Sequence, residues 1–180
     1  MFEDKLLVLK CRRGDKAALC RVYEKYKDYL LTLARGLVSN RDDAEDIVQD
    51  AFVSFTRLAR QFQLTGSLKG YLAMCVVNGS RDKIRSNTRW MKVRSKAAHA
   101  DGVSNDPEQQ ATETEDVMRL RQALDQLPYE QRETVLLYFK GKFNFRQIAR
   151  LQGVSTSTVH GRYRYGLRKL RSLLNGEVIK

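Results

Sequence analysis

Apolar residues recur at spacings of three and four along nearly the whole chain, and this pattern limits the possible fold more than any other feature. In the N-terminal half the repeat predicts helices over residues 18–37, 47–62 and 71–84. Apolar residues at these spacings share one face of an α-helix, whereas a strand requires strict alternation. No alternating pattern competes with the helical one. The sequence therefore predicts an all-α fold.

The C-terminal half continues the pattern and adds a helix-turn-helix. Helices are predicted over residues 115–126 and from the Leu127-Pro128 break to Lys140, because proline is favoured in a first helical turn. In the segment 145–170, Ile148 and Ala149 lie on the inner side of a short helix. Gly153 then stands at the tight turn, where a left-handed conformation favours glycine, and Ser155 suits the cap of the next helix.

The second helix of this motif carries an apolar stripe and a basic one. The apolar stripe consists of Val159, Tyr163, Gly166, Leu167, Leu170 and Leu174. The basic residues are predicted on the opposite side: Arg162, Arg164, Arg168, Lys169 and Arg171. A helix of this kind fits the major groove of DNA. An ordinary helical hairpin with a basic face is the alternative.

Charge indicates the partner and divides the chain. With 33 Lys+Arg against 21 Asp+Glu, the net charge of +12 favours a polyanionic partner over an unspecific basic surface. Residues 81–96 are dominated by Lys and Arg, whereas residues 97–116 contain acids, glycine and proline but no Lys or Arg. This change predicts a flexible acidic linker at 97–116 that joins two small helical domains, 1–96 and 117–180.

Several functional classes are disfavoured by composition. No apolar run reaches about eighteen residues and no apolar signal segment opens the chain, so we expect a soluble, cytoplasmic protein without membrane insertion. The three cysteines form no CxxC pair and the two histidines stand far apart, which argues against a metal site. We expect no catalytic residues and no cofactor. A nucleic-acid-processing enzyme remains as an alternative class, although clustered catalytic carboxylates are missing.

Three segments, in order, resemble the two conserved domains of bacterial sigma factors of the extracytoplasmic-function group. Residues 43–55 (DAEDIVQDAFVSF) are similar to the core-polymerase-binding helix, and residues 68–85 (LKGYLAMCVVNGSRDKIR) to the promoter-melting helix. Residues 127–138 (LPYEQRETVLLY), followed by the helix-turn-helix, are similar to the domain that reads the upstream promoter element.

This resemblance implies a dissociable initiation factor that joins core RNA polymerase, gives it promoter specificity and helps to melt the start region. Its partners would be the core polymerase and promoter DNA, both as duplex and as melted single strand. An anti-sigma factor is a further partner that the resemblance admits. A stand-alone helix-turn-helix regulator is the rival function, but it leaves the features of the first domain unexplained.

An acidic and polar stripe on the second predicted helix is unusual in so basic a chain. It consists of Glu45, Asp46, Gln49 and Asp50. The resemblance implies that this stripe docks on the clamp helices of the polymerase. A solvated helix face is the alternative interpretation.

The third predicted helix and the loop before it are candidates for contact with the downstream promoter element. The candidate residues are Gln61, Gln63, Lys69, Asn78, Arg81, Lys83 and Arg85. A basic helix with polar side chains suits an unwound strand. The resemblance implies that the loop 61–69 captures a flipped base and that Asn78 borders that site. Otherwise Asn78 is a satisfied polar residue or a capping residue.

The recognition helix is the candidate for the upstream element. We expect Thr156, Ser157, His160 and Arg162 to face base edges or nearby phosphates, and Arg164, Arg168 and Lys169 to contact the backbone. The sequence departs from the family at three places. Arg146 and Gln147 replace residues that are usually acidic, Gly161 stands where serine is common, and the pair 79–80 (Gly-Ser) is polar where the family is often apolar.

Overall fold

The computed structural model describes residues 2–59, 61, 66–97 and 114–175, and the side chains of these residues except 90–97. Within these ranges the chain contains no strand, so the all-α prediction is confirmed for them. The described residues form eight helices: α1 (Phe2–Arg12), α2 (Lys16–Leu37), α3 (Arg41–Leu58), α4 (Leu68–Ala97), α5 (Glu115–Asp125), α6 (Tyr129–Phe139), α7 (Phe145–Gln152) and α8 (Thr156–Asn175). None of these helices is long and apolar enough to cross a membrane.

Helices α1–α4 form an N-terminal bundle around α2, which contacts each of the other three. The predicted apolar stripes form its core: Leu30 of α2, Phe55 of α3 and Val76 of α4 are all fully buried. Helix α3 begins at Arg41, ahead of the predicted segment 47–62, because the Asn40 side chain caps it by accepting a hydrogen bond from the backbone N–H of Asp43 at 2.9 Å.

Helix α1 is not predicted by the sequence pattern, because its apolar face is short. It is fixed to α2 through Asp4, whose carboxylate accepts hydrogen bonds from Lys25 Nζ at 2.9 Å and from the Tyr26 hydroxyl at 2.8 Å. Leu7 and Val8 are buried beneath this contact. The N-terminal bundle is therefore larger by one helix than the periodicity indicates.

The limits of the predicted linker need correction at both ends. Ala97 is the last residue of α4, and residues 115–116 form the first turn of α5. The linker prediction is wrong for these residues, because the helices continue past the change in composition. Residues 98–113, the rest of the predicted linker, lie outside the described residues.

Helices α5–α8 form a C-terminal bundle in which α5, α6 and α7 all contact α8. Gly166 allows α8 to approach α6 closely, since a Cβ at this position would lie 3.1 Å from Val135 Cγ2. Leu137, Ile148 and Val159 are fully buried between the helices. The two bundles are in contact with each other through α2 and α6.

Candidate polymerase and nucleic-acid interfaces

The helix-turn-helix of α7 and α8 has the predicted local geometry. Gly153 ends α7 in the left-handed conformation, with φ of 65°. The Ser155 hydroxyl accepts a hydrogen bond from the backbone N–H of Thr158 at 3.1 Å and so caps α8. At the start of α7, Asn144 and Gln147 form a reciprocal capping box, with hydrogen bonds of 3.0 and 2.8 Å. Glutamine at position 147 therefore replaces an acid without loss of the cap.

The exposed face of α8 contains most of the predicted upstream contacts, but not all. Thr156, Ser157, His160, Arg164 and Arg168 are exposed. Arg162 and Lys169 are half-buried, so they are less accessible than the other five predicted contacts. Arg162 follows Val159 by three residues, which in a helix places both on neighbouring positions of one side. Its guanidinium donates a hydrogen bond to Gln152 Oε1 at 2.6 Å.

An aromatic cluster that was not predicted supports the exposed His160. The rings of Phe145 and His160 have centroids 4.2 Å apart, and Phe145 in turn stacks on Tyr138 at 4.9 Å. Tyr163 contacts both Tyr138 and Phe145. The sequence signal was the concentration of aromatic residues from 138 to 163. These contacts join α6, α7 and α8 next to the exposed imidazole.

Gly161 is not required by packing inside the chain. A Cβ built on it meets no atom within 4 Å. Glycine costs about 1 kcal/mol relative to alanine in a helix. No close contact inside the chain offsets this cost at Gly161.

The acidic stripe of α3 lines an open groove between α3 and α4. Asp46, Gln49 and Asp50 are exposed there, in a space of about 750 Å³ that Asn78 and Lys83 line from α4. Glu45 has a different environment. Its carboxylate pairs with Arg41 at 3.0 Å and with Arg35 at 3.4 Å, and the hydrogen bond from Arg41 lowers the pKa of Glu45.

The structure does not gather the predicted downstream residues on one surface. Asn78 and Lys83 face the α3–α4 groove, whereas Arg81 and Arg85 line a second pocket, of about 360 Å³, toward the C-terminal bundle. Lys83 Nζ pairs with Asp43 at 2.7 Å, and this hydrogen bond raises the pKa of Lys83. The two faces arise because Arg81 and Lys83 are two residues apart and therefore project from nearly opposite sides of one helix.

The predicted loop residues are only partly described. The Lys69 ammonium lies 4.0 Å from the centroid of the Tyr29 ring, which ties the start of α4 to α2. Gln61 is exposed, and Gln63 lies outside the described residues.

The small residues of α4 have a packing role beneath the groove. A Cβ at Gly79 would lie 3.1 Å from Ile47 Cγ2, so this glycine lets α3 and α4 approach. Ser80 is fully buried, and its hydroxyl donates a hydrogen bond to the Val76 carbonyl at 2.9 Å. The polar pair at 79–80 is therefore compatible with a close-packed interior.

Metal binding gains no support from the side chains that the structure describes, since no group of three His, Cys, Asp or Glu residues is placed to hold an ion there. Of the cysteines, Cys11 is buried, Cys75 is half-buried and Cys20 is exposed. Burial raises the pKa of both the Cys11 and the Cys75 thiols, which disfavours the reactive thiolate.

Comparison with protein families matches both bundles. Residues 22–89 match the sigma-70 region 2 family, and residues 123–172 match the sigma-70 region 4 family. A region 2 with an acidic groove, followed by a region 4 with a helix-turn-helix, defines a sigma factor as the class of protein.

Individual relatives show which group of sigma factors the chain belongs to. The ECF RNA polymerase sigma factor SigM of Mycobacterium tuberculosis is 30% identical over 164 residues, which cover 89% of this chain and 79% of SigM. SigV of Bacillus subtilis, an RNA polymerase sigma factor, is 25% identical over 169 residues, which cover 94% of this chain and 98% of SigV. This chain belongs to the extracytoplasmic-function (ECF) sigma factors of RNA polymerase.

Solved structures show the same fold. The sigma factor RpoE of Bartonella quintana, in complex with the anti-sigma factor NepR, superposes with a TM-score of 0.69 at 23% identity, over 86% of this chain and 97% of RpoE. CnrH in complex with the cytosolic domain of CnrY gives a TM-score of 0.68 at 21% identity, over 98% of this chain and 99% of CnrH.

Proposed function

We propose that this chain binds core RNA polymerase as a dissociable sigma factor and directs transcription initiation at a specific set of promoters. The observation that carries the proposal is the separation of two different surfaces on two bundles. The N-terminal bundle exposes an acidic groove beside a basic helix, and the C-terminal bundle exposes a capped, basic recognition helix. Family membership agrees with both surfaces.

The polymerase contact is assigned to the exposed part of the acidic stripe. Asp46, Gln49 and Asp50 offer carboxylates and an amide at the edge of an open groove, in a chain with a net charge of +12. Acidic side chains without strong ion pairs inside the chain give up little interaction energy when they bind a basic partner surface. Glu45 contributes less in this assignment, because Arg41 and Arg35 already neutralise it.

Promoter contacts are assigned to both bundles. Asn78 lies exposed in the α3–α4 groove, next to Lys83, and we assign it to the unwound downstream element. On α8, Ser157 and His160 lie at the exposed start of the helix, where base edges are read, and Arg164 and Arg168 lie further along for phosphate contacts. The factor has no bond chemistry of its own in this proposal and works in the cytoplasm, where the polymerase is.

The decisive experiment reverses charge in the groove. Asp46→Lys with Asp50→Lys should abolish co-purification with core polymerase and leave the helical content unchanged. The matched control is Glu24→Lys with Asp28→Lys, which reverses two exposed acids at the same spacing on α2. Equal retention of polymerase by both double variants would refute the docking assignment.

A second arm separates a sigma factor from a stand-alone regulator. The chain and core polymerase should together yield transcripts with defined starts, and the chain alone should bind promoter duplex weakly. Tight, sequence-specific binding without polymerase would favour the regulator. An anti-sigma partner is also proposed.

A further inference from the structure

Gly161 leaves a gap in the exposed face of helix α8. A Cβ built at this position would meet no atom within 4 Å outside its own turn of backbone. Residues three or four positions apart lie side by side on the surface of a helix. The neighbours of Gly161 in this sense include Ser157 on the preceding turn and Arg164 and Tyr165 on the following turn, all of which are exposed. The gap is therefore open to solvent and is bordered by polar and cationic side chains.

Nothing inside the chain requires glycine at this position. Glycine within a helix loses more backbone entropy on folding than alanine does. Gly166 of the same helix offsets that loss by close packing, since a Cβ there would lie 3.1 Å from Val135 Cγ2, whereas Gly161 has no such neighbour. Gly161 also lacks the positive φ that would favour glycine. A glycine that neither packing nor backbone conformation requires indicates space for a group outside the chain.

The charge around the gap indicates the chemistry of that group. Helix α8 contains five Lys or Arg residues and no Asp or Glu. The guanidinium carbons of Arg164 and Arg168 lie 5.2 and 5.0 Å from the centroid of the Tyr165 ring, so one ring holds two cations. Among the described side chains, no acid forms an ion pair with either arginine. Two adjacent guanidinium groups of this kind fit the phosphates of a nucleic-acid strand.

The position of the gap around the helix distinguishes the strand from the base edges. At 100° per residue, Gly161 lies within about 40° of Ser157, Tyr165 and Arg168 but about 100° from His160. It therefore shares one flank of the exposed face with the two arginines. A helix in the major groove has base edges in front of it and a phosphate backbone at each side. The flank that contains Gly161 is the side that meets a backbone.

We propose that Gly161 is the point of closest approach for the sugar–phosphate backbone of one promoter strand, and that Tyr165 positions Arg164 and Arg168 on the phosphates of that strand. The inference rests on the proposed function, because it assumes that α8 enters promoter duplex. A side chain at position 161 fills the gap and moves the strand away from the two guanidinium groups. Glycine at this position therefore lowers the stability of the helix and permits tighter binding.

A series of side chains of increasing size tests the close approach: Gly161→Ala, Gly161→Ser and Gly161→Gln. Each full-length variant is assembled with core polymerase, and its affinity for a duplex fragment from upstream of a mapped transcript start is measured by fluorescence anisotropy. Affinity should fall in order of size, by at least about fivefold for Gly161→Gln, because crowding a close contact costs this much or more. The control is Ala17→Gln, which enlarges an exposed residue of α2 and should bind like the parent.

The free chain should respond in the opposite direction to Gly161→Ala, with a urea midpoint above that of the parent. A loss of affinity therefore cannot come from unfolding. Affinities for single-base variants of the fragment should all fall by a similar factor, since phosphates carry no sequence information. Equal affinity of the parent and the whole series overturns the inference. A loss confined to one base pair overturns the backbone contact.

The positioning role of Tyr165 has its own pair of variants. Tyr165→Phe keeps the ring and should bind the fragment like the parent. Tyr165→Leu removes the ring and should weaken binding about two- to fivefold, because an exposed cation–π contact has this strength. Tyr165 is 45% exposed, so we expect the same helical content in both variants. Equal affinity of Tyr165→Phe and Tyr165→Leu overturns the positioning role.

Failure of the proposed function is visible in the parent chain. A parent that neither binds the fragment with core polymerase nor initiates transcription overturns the proposed function, and this inference with it. A parent that binds and initiates while the Gly161 variants match its affinity overturns this inference alone.

Discussion

At the scale of single residues, the position on a helix does not fix the partner of a charged side chain. Arg162 and Arg168 belong to the same basic helix, yet Arg162 is held by Gln152 while Arg168 is exposed and lies 5.0 Å from the Tyr165 ring. An arginine side chain is long enough to exchange one hydrogen-bond partner for another. In the proposed promoter complex, DNA would have to replace Gln152 as the partner of the Arg162 guanidinium.

The first prediction distinguishes base reading from phosphate contact. Arg162→Ala should flatten the sequence preference at one or two positions of the upstream element, since a base-contacting arginine contributes about 1 to 3 kcal/mol of discrimination. Arg168→Ala should weaken binding to all sequence variants by a similar factor. A holoenzyme binding series over single-base variants measures this. A uniform loss for Arg162→Ala would move it to the backbone contacts.

The second prediction concerns Asn78, which is exposed in the α3–α4 groove. Asn78→Ala should reduce open-complex formation on duplex promoter more than on a template mismatched over the start region. Flipping a base costs a few kcal/mol, and a premelted template removes much of this cost. Permanganate footprinting of both templates gives the comparison. An equal reduction on the two would assign Asn78 to folding or general binding.

At the scale of elements, the two glycines within α8 differ in their surroundings. Gly166 is buried and faces Val135 at close range, whereas Gly161 faces open space. The third prediction follows from this difference. Gly161→Ala should stabilise the fold by about 1 kcal/mol, the difference in helix propensity.

Gly166→Ala should raise the free energy of unfolding by less than Gly161→Ala does, or should lower it, because the added methyl group forces α6 and α8 apart. Chemical denaturation of the two variants and the parent tests the order. The packing account of Gly166 is lost if both substitutions stabilise equally.

The carboxylates of Glu3 and Asp4 both tie helix α1 to Lys25 of α2, and the fourth prediction concerns the less exposed of the two, Asp4. Burial alone would raise the pKa of Asp4, but hydrogen bonds from Lys25 and Tyr26 outweigh burial and lower it. A lowered pKa means that Asp4 stabilises the fold above its unfolded pKa and that this contribution disappears as pH falls through the lowered value. Asp4→Asn should cost about 1 kcal/mol near neutral pH.

The difference between Asp4→Asn and the parent should shrink in acid, as pH falls through the lowered pKa and the parent carboxylate is also protonated. Urea denaturation at a series of pH values measures it. Asp28→Asn, an exposed acid on α2, is the control and should have little effect. A pH-independent difference would show that Asp4 acts through shape and not through charge.

At the scale of the whole molecule, the net charge of +12 makes nucleic-acid binding dependent on salt. The fifth prediction uses the three phosphate contacts assigned to Arg164, Arg168 and Lys169. Three released counterions give a slope of about −2.7 in log affinity against log salt, so a fourfold rise in salt should weaken duplex binding roughly 40-fold.

Arg164→Ala with Arg168→Ala should lower that slope by about two. The control is Arg12→Ala with Arg13→Ala, at exposed residues near the end of α1. Fluorescence anisotropy at several salt concentrations gives both slopes. A similar slope for the two double variants would mean that binding is diffuse over the basic surface.

The sequence by itself determined every described helix except α1, and several of the helix ends. Helical periodicity, the Asn40 and Ser155 caps and the left-handed Gly153 act over a few residues, and local energetics is enough to fix them. The class of function also followed from local motifs, because the helix-turn-helix and the acidic stripe are each contained in a short segment.

Only the tertiary structure decided which charged residues are free. Glu45 is neutralised by Arg41 and Arg35, and Arg81 is held by Glu133, fifty-two positions along the chain. Such pairs depend on which faces of distant helices meet, and periodicity carries no information about that. The contact between α2 and α6 also depends on tertiary structure. The lack of a side chain at Gly36 matters only because Leu136 of α6 lies opposite it.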